Sequence, residues 1–141
     1  MYYAAIAVTV GSNVLYHIAQ KLMPPTVNPM LALLAAYLAA AAICVALLPA
    51  FPLGTGWTQA LRQLTPASLA LALAIVGLEL GFLLAYRAGW RITTAGLISN
   101  TAVGILLVPV GVAVFRERPT LTNAVGILVC LVGLVLVNWR K

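Results

Sequence analysis

Glu79 is the side chain in this sequence with the most obvious capacity for chemistry. It is a carboxylate inside the apolar run Ala74-Ile75-Val76-Gly77-Leu78-Glu79-Leu80-Gly81, with no basic residue in the same span. Desolvation penalises the charged form of an acid in such surroundings unless a cation or a proton donor stands nearby. An acid of that kind can exchange a proton for a cationic substrate, which is the coupling step a transporter needs. A neutral carboxyl group, hydrogen-bonded for structural reasons, is the other reading of the same residue. Tyr86 lies two turns further along the same helical face and can line the same space.

A second group of polar residues stands near the start of the chain. Thr9, Asn13, Tyr16, His17 and Gln20 follow the i, i+3, i+4, i+7 spacing of one helix face, and the opposite face is Ala, Val, Leu and Ile. Polar groups in a span are costly and usually face an interior or a cavity; bonding to neighbouring helices is the plainer alternative. With a rise of about 1.5 Å per residue, Asn13 falls near the middle of its segment and Glu79 about 3 Å beyond the middle of its own. His17 reaches about 7 Å on that side, and Asn100 and Thr101, on an antiparallel segment, about 4 to 6 Å. One depth band therefore collects polar residues from three segments, the level at which transporters tend to keep their sites.

The elements that carry these residues are five apolar stretches, at about residues 3–22, 30–48, 67–86, 94–115 and 121–138. Each is close to the roughly 20 helical residues that cross a bilayer core. Charged residues make up 7% of the chain, against about a quarter in a soluble domain, too few to clothe a water-facing surface. The expected fold class is therefore all-α, a polytopic membrane protein of five transmembrane helices in a single domain spanning 1–141. Asn28-Pro29 and Thr65-Pro66 each offer a capping side chain followed by proline at the first helical position. Tyr2, Tyr3, Trp90 and Trp139 stand where interfacial anchors belong. Trp57, Leu61 and Leu64 share a face within residues 56–64, which suits either a short interfacial helix or an irregular loop.

Eight Lys and Arg against two acidic residues give a net charge of +6. The basic residues fall between or just outside the apolar runs, the usual membrane pattern, which argues against nucleic acid as a partner. With alternating spans, Arg62, Arg116 and Arg118 share a side with the N-terminus, and Lys21, Arg87, Arg91, Arg140 and Lys141 share the other. So small a bias leans towards an external N-terminus but permits insertion both ways, and hence an antiparallel homodimer. Gly126 and Gly133, seven residues apart on one face, are candidates for close packing between copies. Gly96, Gly104 and Gly111 with Pro109 mark a segment prone to kink. Cys44 and Cys130 sit in apolar runs without CxxC spacing and read as inert buried thiols. HExxH and GxSxG are absent from the sequence and no Asp accompanies His17, so neither an enzyme nor a bound metal or cofactor is expected.

Three stretches resemble a single EamA-type repeat of the drug/metabolite transporter superfamily. Gly11-Ser12-Asn13-Val14 through Lys21 is similar to the family's glycine-serine-asparagine stretch in the first helix. Phe115-Arg116-Glu117-Arg118-Pro119-Thr120-Leu121 resembles its short acidic loop before the last helix, and the segment from Gly126 to Leu136 its glycine-spaced final helix. The last three helices also resemble the small multidrug resistance family, with one helix added. That family places a proton- and cation-binding glutamate in its first helix; Asn13 stands there in this sequence, leaving Glu79 as the acid able to take the role from the third span. Full-length EamA-type members hold two inverted repeats, so the resemblance implies that a single repeat pairs with an inverted second copy of itself. It further implies a multi-pass protein of the cell (inner) membrane that moves small molecules by alternating access, with Glu79, Asn13, His17, Tyr16, Asn100, Thr101 and Tyr86 as site residues. A non-transporting accessory or flippase-type subunit of a larger membrane complex is the competing expectation.

Overall fold

A computed structural model describes residues 2–52, 54, 56–118 and 120–139. Among them every regular element is helical: α1 (Tyr2–Leu22), α2 (Pro29–Leu47) extended by one 3-10 turn (Leu48–Ala50), α3 (Trp57–Arg62), α4 (Pro66–Arg87), α5 (Ile92–Phe115) and α6 (Leu121–Asn138). Arg140 and Lys141, two of the basic residues in the charge count, lie outside the described residues, as does Pro119 of the loop before α6.

Among the described residues three segments are long and apolar enough to cross a membrane: Pro29–Ala50, Pro66–Arg87 and Ile92–Phe115. Within α6, Leu121–Leu136 is a shorter apolar stretch. α1 is long enough, at 21 residues, but Asn13, His17, Gln20 and Lys21 dilute its apolar character. Outward faces throughout are greasy: Leu73 is 76% exposed and Leu106 67% exposed, an arrangement that water would oppose and hydrocarbon would not.

The backbone divides into two units, residues 1–88 and 89–141. In the first, α1 and α2 both pack on α4. Its interior is small and mixed: Leu33 of α2, Leu83 and Tyr86 of α4, and the polar His17 and Gln20 of α1. In the second, α5 packs on α6. α3 keeps Trp57 and Leu61 exposed, and its helical part stops at Arg62, short of Leu64.

Helix boundaries follow local chemistry. Asn28 caps α2 as its side chain allows, its Oδ1 accepting from the N–H of Met30 at 2.9 Å and of Leu31 at 3.3 Å, with Pro29 at the first helical position. Thr65 departs from the expectation: its side chain makes no cap bond. There the backbone closes the turn instead, with the Ser68 N–H donating to the Thr65 carbonyl at 2.9 Å. Thr120 caps α6, its hydroxyl accepting from the Asn123 N–H at 3.2 Å and donating to the Asn123 side-chain oxygen at 3.0 Å. α5 runs through Pro109 and ends where Arg116 turns left-handed at φ 55°.

Candidate functional site

α1 and α4 bring their polar residues to one place in the first unit. The Tyr86 hydroxyl lies 2.8 Å from His17 Nδ1, a buried contact joining residues 69 apart in sequence. Gln20 donates through Nε2 to the Glu79 carbonyl oxygen at 3.4 Å. His17 sits edge-on to Phe82 with centroids 4.7 Å apart, and Phe82 stacks on Tyr86 at 6.0 Å. Tyr16 closes the group edge-on to both His17 and Phe82. The helical spacing of the two segments produces this directly. Residues 16, 17 and 20 occupy one face of α1, and residues 79, 82, 83 and 86 occupy one face of α4.

The electrostatics of the group are one-sided. Glu79 is half-buried and lies within electrostatic range of the Tyr16 and Tyr37 hydroxyls. Among the described residues no basic side chain pairs with it. The Tyr16 hydroxyl, the Tyr37 hydroxyl and Gln20 Oε1 are buried, and the Tyr16 hydroxyl and the Gln20 side chain interact with each other. They stand near one carboxyl group, where burying polar atoms costs free energy unless they find partners. The atoms on offer are a carboxylate, an amide oxygen, hydroxyls and aromatic faces, which together favour an organic cation.

One end of this group is closed by cations of the chain. Lys21 donates to the Tyr86 carbonyl at 3.4 Å and lies 5.6 Å from the Tyr86 ring centroid. Arg87 Nη2 donates to the Val27 carbonyl at 2.7 Å and the Pro24 carbonyl at 3.3 Å. Both charges sit at the C-terminus of α4, where the helix dipole favours them.

Asn13 is exposed and stands apart from this group, while Thr9 satisfies itself by donating to the Ala5 carbonyl at 3.0 Å. Asn100 and Thr101 belong to the second unit, where they line a cavity of about 610 Å³ between α5 and α6. Gly126 lines it too, so this small-residue face of α6 turns towards its own hairpin. A Cβ added at Gly126 or Gly133 would meet nothing within 4 Å, so neither glycine serves a close backbone approach within the chain. Cys44 and Cys130 are free but exposed rather than buried, because α2 and α6 offer most of their surface to the surroundings of the chain.

Spacing alone leaves out several members of these groups. Phe82 carries a signal, lying three residues after Glu79 and four before Tyr86 on one face of α4. Tyr37 is the one tyrosine in the otherwise apolar α2. Glu117, Arg118 and Asn123, which line the second-unit cavity, carry no comparable periodicity. No family model, curated protein or solved structure matches the chain.

Proposed function

We propose that the chain is a small-molecule membrane transporter of the drug/metabolite type. In this reading α1, α2, α4, α5 and α6 all cross the bilayer as one EamA-like repeat. Two copies in opposite orientation form the working unit and expose a shared path to each side in turn. The observation that carries the reading is Glu79, an acid without a basic partner, set among buried hydroxyl and amide oxygens and a cluster of aromatic rings. A lipophilic cation would find a countercharge and aromatic faces there, and its arrival would release the Glu79 proton. Exposed Asn13 on α1 supports a second copy, since an amide facing hydrocarbon gains by hydrogen-bonding across to another helix.

Tetraphenylphosphonium is a suitable probe. Proteoliposomes holding the wild-type chain should take it up when an outward-directed proton gradient drives the exchange, and the detergent-purified protein should release protons as it binds. Glu79→Gln should abolish both signals. Unchanged proton release in that variant would remove Glu79 from the coupling step, and absence of any flux by the wild type would remove transport itself.

A further inference from the structure

The α5–α6 hairpin holds a second built feature, separate from the Glu79 group in its residues and its chemistry. On α5 the cavity is lined at Asn100, Gly104, Val108 and Val112, one residue in every four. That row runs along the helix for about 18 Å. On α6 it is lined at Asn123, Gly126 and Cys130. The result is a groove parallel to the helices, apolar along its middle. Its width comes from missing side chains: a Cβ added at Gly104 or Gly126 would meet nothing within 4 Å.

One end of the groove is ionic. Arg116, left-handed at φ 55°, turns the chain so that the Glu117 N–H donates to the Gly111 carbonyl at 3.0 Å. The Glu117 side chain then folds back over Gly111. A Cβ at that glycine would lie 2.5 Å from Glu117 Oε2, so only glycine leaves the carboxylate this seat. Arg118 and Asn123 line the same mouth. An acid and a base thus stand side by side at the end of a long apolar trough, on helices whose outer faces are themselves apolar, with Leu106 67% and Leu128 61% exposed.

We infer that this groove seats one acyl chain of phosphatidylethanolamine, with the headgroup at the mouth. The ammonium group faces Glu117, and the phosphate faces Arg118 and the Asn123 amide. Charge complementarity selects a zwitterion, because an anionic headgroup without the ammonium gains Arg118 but meets Glu117 as a repulsion. The trough selects a lipid over a free headgroup, since a soluble phosphoester has no use for the apolar row from Gly104 to Val112. Volumes of about 300 to 1,000 Å³ are typical of small-ligand pockets, so the groove has room for one chain.

Native mass spectrometry of the detergent-purified chain, incubated separately with phosphatidylethanolamine and phosphatidylglycerol, tests this without any transport measurement. The wild type should retain one phosphatidylethanolamine per chain, preferred by about tenfold over phosphatidylglycerol. Gly104→Leu and Gly126→Leu fill the trough and should lose the lipid. Glu117→Gln, a change in an exposed loop that leaves the helices intact, should erase the headgroup preference, and Arg118→Gln should weaken retention of both lipids. Equal retention of the two lipids by the wild type would overturn the inference, as would undiminished retention by both leucine variants. Loss of tetraphenylphosphonium flux in Glu79→Gln with lipid retention intact would show the two sites to be independent.

Discussion

The His17–Tyr86 contact shows how few polar atoms hold α1 to α4. Both residues are buried, and the bond joins the two helices beside the longer contacts from Gln20 to the Glu79 carbonyl and from Lys21 to the Tyr86 carbonyl. Tyr86→Phe keeps the ring and its stack on Phe82 while deleting the hydroxyl, so thermal unfolding in detergent should show a loss of about 1 kcal/mol. An unchanged unfolding midpoint would mean that the bond contributes nothing. Gly111→Ala should behave differently. Its Cβ meets only the far end of a flexible side chain, and alanine favours a helix interior by about 1 kcal/mol over glycine. The unfolding midpoint should therefore hold or rise, while carbodiimide labelling of Glu117 increases as the carboxylate swings out. Unaltered labelling would place Glu117 elsewhere. Much of the first-unit group is legible in the sequence, because Tyr16, His17, Glu79 and Tyr86 announce themselves as polar residues at helical spacing in apolar runs. The seat of Glu117 is not, since it depends on an arginine adopting a left-handed conformation that glycine or asparagine would ordinarily signal.

At the scale of elements, helix positions come almost directly from the apolar runs. α2 starts at Pro29 and α4 at Pro66 because proline suits the first helical turn. Side-chain caps are less readable. Asn28 caps and Thr65 does not, although both precede proline, because a backbone turn can satisfy the same N–H groups. Arg87 then ties α4 to the α1–α2 connection by bonding two carbonyls that have left the helices, Pro24 and Val27. Nothing in the local sequence points to that link, which exists only once α1 and α4 are side by side. Arg87→Gln should free residues 23–28, raising their amide hydrogen exchange and lowering stability by about 1 to 3 kcal/mol. Asn28→Ala should cost about 1 kcal/mol through the lost cap, with exchange rising at the start of α2 alone. Exchange confined to the wild-type pattern in Arg87→Gln would show the connection to be held by other contacts.

For the whole molecule the governing fact is charge balance. Membrane orientation is set by the side that carries more Lys and Arg, and under the proposed five-span topology this chain would divide them three and five between the sides. Insertion both ways is the condition for an antiparallel pair of identical chains, and a small number of substitutions should remove it. Gln59→Lys and Gln63→Lys combined with Arg91→Gln, Arg140→Gln and Lys141→Gln turn the count to about five against two in favour of the side of Arg62 and should fix the N-terminus inside. Arg62→Gln with Arg116→Gln takes two away and should fix it outside. Each variant expressed alone then supplies only one of the two orientations, so neither should catalyse tetraphenylphosphonium flux. Expressed together they restore both orientations, and flux and cross-linked dimers should return together. Full activity of either variant by itself would show that parallel copies, or one copy, suffice. In that case Asn13 would need a different cover from the one an inverted partner provides.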